Sequence, residues 1–110
     1  MSRVSNEFAH PDLGDVELDA VLAALADPHR RRVVVELAAE PERERTCASF
    51  NLPVARSTRT HHWRVLREAG LVHQRAAGNT SYLLLRRTEI DDRFPGLLDT
   101  VVSLTGATAR

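Results

Sequence analysis

Apolar residues recur at helical spacing from the start of the chain's patterned region. In VELDAVLAALA, residues 16–26, Val16, Val21, Leu22 and Leu25 fall near one stripe, which predicts a first helix. Asp27-Pro28 follows, an N-cap residue with proline at the first helical position, where its missing N–H costs nothing. A second helix should therefore run from Pro28 to about Glu40, burying Val34, Leu37 and Ala38 and stopping before Pro41. The segment PERER, 41–45, is charged and expected at the surface. Thr46 is placed to cap a short third helix, CASFN, with Ala48 and Phe50 inward, and Leu52-Pro53 breaks it. A fourth helix spans about Ala55 to Ala69, with Gly70 suited to the left-handed position beyond its end. Two short helices joined by a tight break make a helix-turn-helix candidate.

Two β-like runs follow, Leu71 to Arg75 and Thr80 to Arg86, around AAGN, where Gly78 and Asn79 are expected to supply positive φ. This is a hairpin directly after the fourth helix. TEIDDRF opens with a weak capping-box pattern, and PGLLDTVVSL, 95–104, predicts a last apolar helix. Its Leu97, Leu98, Val101, Val102 and Leu104 exceed one buried stripe, and the surplus is assigned to a dimer surface. Residues 1–14 hold Pro, Gly and Asn without apolar period and read as a flexible N-terminal tail, with 106–110 as a C-terminal tail. The expected fold between them, 15–105, is mainly α with a small β-hairpin.

Composition narrows the function. A chain of 110 residues fits one small domain, and apolar surface beyond its core calls for a partner subunit. Cys47 is the single cysteine, which excludes an internal disulfide and makes a reducing, cytoplasmic setting the expectation. The opening residues lack a basic start followed by an apolar core, and no apolar run nears roughly 18 residues, so no membrane partner is expected. Net charge is zero, but it is segregated. Met1–Glu44 carries ten acids against five Arg, Arg45–Thr88 eight Arg against Glu68 alone, and Glu89–Arg110 four acids against two Arg. A positive middle between acidic flanks fits a polyanion surface.

The fourth helix concentrates that charge. At about 100° per residue, Ala55, Thr58, His62, Leu66 and Ala69 line one side, with Trp63 and Val65 at its margins. The other side carries Arg56, Ser57, Arg59, Thr60 and Arg64, flanked by His61. So many donors suit an acceptor-rich partner, and the major groove of double-stranded DNA fits. Guanine offers O6 and N7 to a forked Arg, while Ser, Thr and backbone N–H groups hold phosphates. Arg75, Gly78 and Asn79 in the hairpin would meet a phosphate or the minor groove as a wing, unless the tip is only an ordinary tight turn. His29 with Arg30, Arg31 and Arg32 forms a second basic cluster, suited either to the DNA backbone or to pairing with nearby Glu.

ALADPHRRRVVVELA, 24–38, followed by STRTHHWRVLREAGLV, 57–72, and a Gly-bearing hairpin resembles the ArsR-type winged helix-turn-helix transcriptional regulators over residues 16–104. The resemblance implies a homodimeric repressor built from the first and last helices. It implies an inverted-repeat operator read by the fourth helix, and an inducer, a small molecule or an oxidant, that releases DNA. By position Arg56, Ser57, Arg59, Thr60, His61 and Arg64 fall on the family's reading helix. The chain departs from the metal-sensing pattern: Thr46 and Ala48 stand where a Cys-x-Cys pair would sit, and the last helix offers only Asp99. No metal site and no cofactor are expected.

Cys47 carries two readings. At the start of the third helix, with Arg45 near, it would be a low-pKa thiol open to oxidation and thus a redox sensor. Alternatively it is a small core residue. His61 and His62 point about 100° apart and do not chelate one ion together, so His62 is read as a core residue. An enzyme is not expected, because no Gly-rich phosphate loop or carboxylate pair accompanies the thiol. The alternative function is a winged-helix protein-interaction module without DNA binding, disfavoured by the retained Arg56, Arg59 and Arg64.

Overall fold

A computed structural model describes residues 8–108 and the side chains of 8–105. Helix α1, Leu18–Ala26, buries Val21, Ala24 and Leu25, the i, i+3, i+4 spacing of a one-sided helix. Leu22, expected on that stripe, is 48% exposed. Helix α2, Pro28–Ala39, begins one residue later, and Asp27 serves both ends. Its Oδ1 accepts from the amides of His29 (2.8 Å) and Arg30 (3.2 Å), filling the orphan donors of the first turn. Arg30 and Arg31 then reach backward over α1. Arg30 donates to Ala24 O (2.8 Å) and Ala23 O (3.3 Å), and Arg31 to Leu25 O (2.9 Å) and Ala26 O (3.3 Å). Two guanidinium groups thus satisfy the last carbonyls of α1 and complement its negative end. The sequence motif DPHRRR is a double cap, and Arg30 and Arg31 are engaged within the protein.

The charged segment after α2 holds the first surprise. Arg45–Thr46 form strand β1, paired antiparallel with a later strand through Arg45–Leu83 and Thr46–Tyr82. The third predicted helix is a four-residue 3-10 turn, Cys47–Phe50. Strand pairing holds the backbone extended up to Thr46, whose side chain makes no cap bond, and Asn51 in the left-handed region (φ 51°) ends the turn at once. Phe50 is buried as expected, whereas Ala48 is exposed.

Helix α3, Arg56–Glu68, stops in a Schellman motif. Leu71 N donates to Leu66 O (3.1 Å) and Gly70 N to Arg67 O (3.0 Å), with Gly70 at φ 78°. Strands β2, Val72–Ala77, and β3, Thr80–Leu85, form the hairpin, and the sheet order is β1-β3-β2. Gly78 has φ 61°, but Asn79 does not share the positive φ expected of it. Positive φ at the first central position alone is the type II′ pattern, which needs glycine only there.

Helices α4, Arg87–Arg93, and α5, Leu97–Thr108, complete the fold. The core joins Val33, Val34 and Leu37 of α2 to Leu66, Leu71, Val72, Leu83, Leu85, Ile90 and Leu98. Leu97 and Val101 pack against this core, so the apolar surplus of α5 is smaller than expected; Leu104 remains 68% exposed.

Both terminal boundaries move. Leu13 and Val16 are buried, His10 Nε2 accepts from Gln74 N (2.9 Å), and Arg86 donates to Pro11 O (2.9 Å). Arg93 donates to Leu13 O (3.1 Å) and Val16 O (2.9 Å). Residues 8–14, expected in a flexible tail, are held by two arginines from the other end of the chain. Residues 1–7 of that tail lie outside the described residues. At the other terminus α5 continues through Thr108, into the stretch expected as tail, and residues 109–110 lie outside the description.

Candidate nucleic-acid interface

The inner side of α3 is fixed by Trp63 and Leu66, with Trp63 5.9 Å from the Phe50 ring, and by His62. Trp63, expected at the margin, is buried, whereas Thr58, expected inward, is exposed. His62 sits between Arg30, whose Nη1 is 3.1 Å from Nδ1, and Asp27, 4.0 Å from Nε2. Burial lowers the His62 pKa, with Asp27 opposing and Arg30 assisting, so the ring is neutral at pH 7 and accepts from Arg30. Its reading as a satisfied core residue fits these contacts.

Outward from this anchored side, Arg56, Ser57, Thr60, His61 and Arg64 are exposed. Arg59 departs from the expected outward row: it is half-buried, and Nη1 donates to Val54 O at 2.9 Å, tying the helix to the loop before it. Ala55 gives no side-chain cap, so the first amides of α3 have no side-chain acceptor there and suit a phosphate oxygen.

The hairpin tip, Gly78 and Asn79, is exposed beside Thr80. Arg75 is exposed too, but it is occupied. Its Nε and Nη2 bind both oxygens of Glu44 (3.0 and 2.8 Å), and it lies 4.7 Å over the Tyr82 ring. The hydrogen bond to Glu44 raises the Arg75 pKa and lowers that of Glu44.

Ion pairing sorts the whole basic segment. Arg45 pairs with Glu36 (2.8 Å), Arg75 with Glu44, Arg86 with Glu89 (2.8 Å), and Arg87 with Asp91 (2.9 Å) and Asp99. Among the described residues, no ion pair is made by Arg56, Arg59, Arg64 or Arg67, all on α3. The positive middle of the sequence therefore resolves to one helix whose arginines lack carboxylate partners. Arg67 lies behind the exposed row: helical spacing places it near the buried stripe, it is half-buried against Gln74, and only its contacts reveal an unpaired cation.

Cys47 is half-buried, its Sγ 3.1 Å from Ser81 Oγ. Burial pushes the thiol up, with Ser81 opposing, against the lowering expected from Arg45 and a helix start. Arg45 is turned toward Glu36 and Ser49 and covers the Phe50 ring at 4.0 Å, and a 3-10 turn offers little dipole. Among the described residues no group of three His, Cys, Asp or Glu could hold a metal ion, and no helix is long and apolar enough to cross a membrane.

The chain matches no family model and no curated protein. Solved structures do resemble it. A "possible transcriptional regulator for arsenical resistance" is 32% identical, with TM-score 0.58 over 86% of this chain and 99% of the other. An ArsR family transcriptional regulator, 20% identical, matches with TM-score 0.59 over 84% of each chain. An ArsR-like transcriptional regulator from Rhodococcus sp. RHA1, 23% identical, matches with TM-score 0.51 over 84% of this chain and 86% of its own. At those two identities the likeness is one of fold.

Proposed function

The chain belongs to the ArsR family of winged helix-turn-helix, DNA-binding transcriptional regulators, and we propose that it acts as a homodimeric repressor whose two α3 helices enter successive major grooves of an inverted-repeat operator. The observation that carries this reading is the pair of exposed α3 arginines, Arg56 and Arg64, without carboxylate partners among the described residues, on a helix whose opposite side is locked into the core. Arg56 and Arg64, exposed and with no hydrogen bond or ion pair among the described residues, are the forks available to bases. Ser57, Thr60, His61 and the free amides at the start of α3 would hold the backbone, with Gly78 and Asn79 beside it. Arg59 supports the helix from its base and shares its remaining donors. The exposed apolar residues Leu18 and Leu22 on α1 and Leu104 on α5 favour pairing of the two terminal helical elements between copies.

Neither arsenical nor thiol control is part of the proposal. A soft metalloid site needs several thiolates, and Cys47 is the one cysteine of the 110 residues. Burial keeps its thiol protonated, which slows oxidation. Occlusion of a promoter is the simplest action for a domain of this size.

Selection of duplexes from a random pool, followed by titration of the parent, Arg56→Ala and Arg64→Ala, tests the reading. Each substitution should cost about 1–3 kcal/mol on the selected duplex and relax base choice at one position of each half-site. Half-sites should lie about one helical turn apart. Equal affinity of parent and variants for the selected duplex would refute it.

A further inference from the structure

Between α3 and the wing lies a cleft of about 490 Å³, within the range of small-molecule sites. One wall carries Arg56, Arg59, Arg64 and Arg67; the facing wall carries Gln74 and Ser81, and among the described residues no Asp or Glu lines it. Arg67 is the residue that singles the cleft out. It is half-buried, donates to Gln74 Oε1 and lies 4.7 Å over the Phe8 ring, yet among the described residues it has no carboxylate partner and its buried Nε has no acceptor. Buried polar groups are almost always satisfied, and a partly desolvated cation is stabilised by an anion beside it. Gln74, 7% exposed, accepts from Arg67 and donates to Ser81 Oγ, so the facing wall holds the guanidinium in place rather than neutralising it.

We propose that this cleft binds a small organic polyanion, bearing phosphoryl or carboxylate groups, on Arg67 together with Arg64 and Arg59. Forked guanidinium groups match either acid class. Trp63, Phe8 and Ala76 add apolar lining for the body of such a molecule. The regulatory consequence rests on the reading of α3 as the DNA-contacting helix: an occupant would neutralise arginines that DNA also needs and stand between helix and wing.

Trp63, the chain's one tryptophan, lines the cleft and reports occupancy. Pyrophosphate and citrate should each be titrated at constant ionic strength balanced with chloride. The expected result is a saturable change in Trp63 emission with at least one probe, and the tighter probe assigns the acid class. Arg67→Met, which keeps the unbranched stem and removes the guanidinium, should raise the apparent Kd about tenfold, the equivalent of one charge-assisted hydrogen bond. Its affinity for the selected duplex should stay within about twofold, because Arg67 lies behind the exposed row. Ala76→Glu adds a carboxylate to the lining while leaving residue 67 an arginine and should also raise the apparent Kd. No saturable change with either probe, or an unaltered Kd in both variants, would overturn the proposal. So would equal losses of pyrophosphate and duplex affinity in Arg67→Met, which would make the cleft only a seat for DNA phosphates. Pyrophosphate binding without duplex binding would leave the anion site standing and remove the DNA reading.

Discussion

The Arg75–Glu44 pair makes a sharp prediction about DNA affinity. Both guanidinium donors facing Glu44 are spent on its two oxygens, the same two-point contact that a phosphate would offer. The wing cation is therefore masked in the free protein, and Glu44→Gln should unmask it. Each phosphate neutralised by a protein cation contributes about 0.9 to the slope of log affinity against log salt. With one wing in each half of a dimer, the variant's slope should steepen by about 1.8, so that a fourfold rise in salt weakens it roughly 12-fold more than the parent. Fluorescence anisotropy of a labelled duplex between about 50 and 200 mM salt measures this directly. Removing an acid also reduces general repulsion, so the double variant Glu44→Gln/Arg75→Ala is the control, and its slope should return to that of the parent. An unchanged slope in Glu44→Gln would refute the masking, and so would a steeper slope that survives loss of Arg75. Because the Arg75 hydrogen bond lowers the Glu44 carboxyl, with burial opposing, the mask should persist at neutral pH and open only in acid.

Three further outcomes test the fold around the interface. Gly70→Ala should cost about 1–3 kcal/mol in urea unfolding. The residue sits at φ 78°, and an added Cβ would meet Val16 Cγ2 at 3.1 Å; a variant as stable as the parent would contradict the Schellman assignment. Asp27→Ala should cost about 1 kcal/mol at pH 7 through loss of the α2 cap. Burial alone would raise the Asp27 carboxyl, but the Arg30 and His29 amides hold it below 3.8. Its contribution is thus present above that value and lost as pH falls below it, so the gap between parent and variant should narrow in acid. His62 adds a second acid dependence of different origin. Burial depresses its pKa, so below about 6.5 the unfolded chain takes up a proton that the native state refuses, and stability falls with pH. Denaturation at pH 7 and 5 should show this slope in the parent and a flatter one in His62→Gln; equal slopes would remove His62 as the cause.

The helices were legible because their signals are local. Asp27-Pro28 specifies a helix start from neighbouring atoms alone, and Gly70 specifies a stop in the same way. Strand β1 was not, because Arg45 and Thr46 become extended through Leu83 and Tyr82, nearly forty residues away. That pairing also shortened the expected third helix to a single turn, and with it went the argument for a low-pKa Cys47. The order of the N-terminal segment is hidden from periodicity for a related reason. Its anchors are not an apolar period of its own but Arg86 and Arg93, which seek its carbonyls from the far end of the chain.

The site divides along the same line, and the division has a functional consequence. Spacing on a helix located Arg56, Ser57, Thr60, His61 and Arg64 on one exposed side without reference to anything distant. It could not say which arginines keep their charge free, since partners come from acids elsewhere. Folding turns Glu36, Glu44, Glu89, Asp91 and Asp99, all from the acidic flanks, onto Arg45, Arg75, Arg86 and Arg87. Among the eight arginines of the positive middle, those left unpaired by the described acids all lie on α3, on a chain whose net charge is zero. A cationic strip on a neutral body acts only within about 8–10 Å at ordinary salt, the Debye length, so distant phosphates feel little attraction. Non-specific binding should then be weak and steeply lost with contact geometry, whereas a duplex that admits α3 meets the full strip. Discrimination between operator and bulk DNA would come as much from where the acids pair as from which bases Arg56 and Arg64 read. Neutralising one pairing acid outside the wing, as in Glu36→Gln to free Arg45 and Arg32, should therefore raise affinity for random duplex more than for the selected one. A larger gain on the selected duplex would show that an arginine held by Glu36 belongs to the reading surface and that the acids do not set the discrimination.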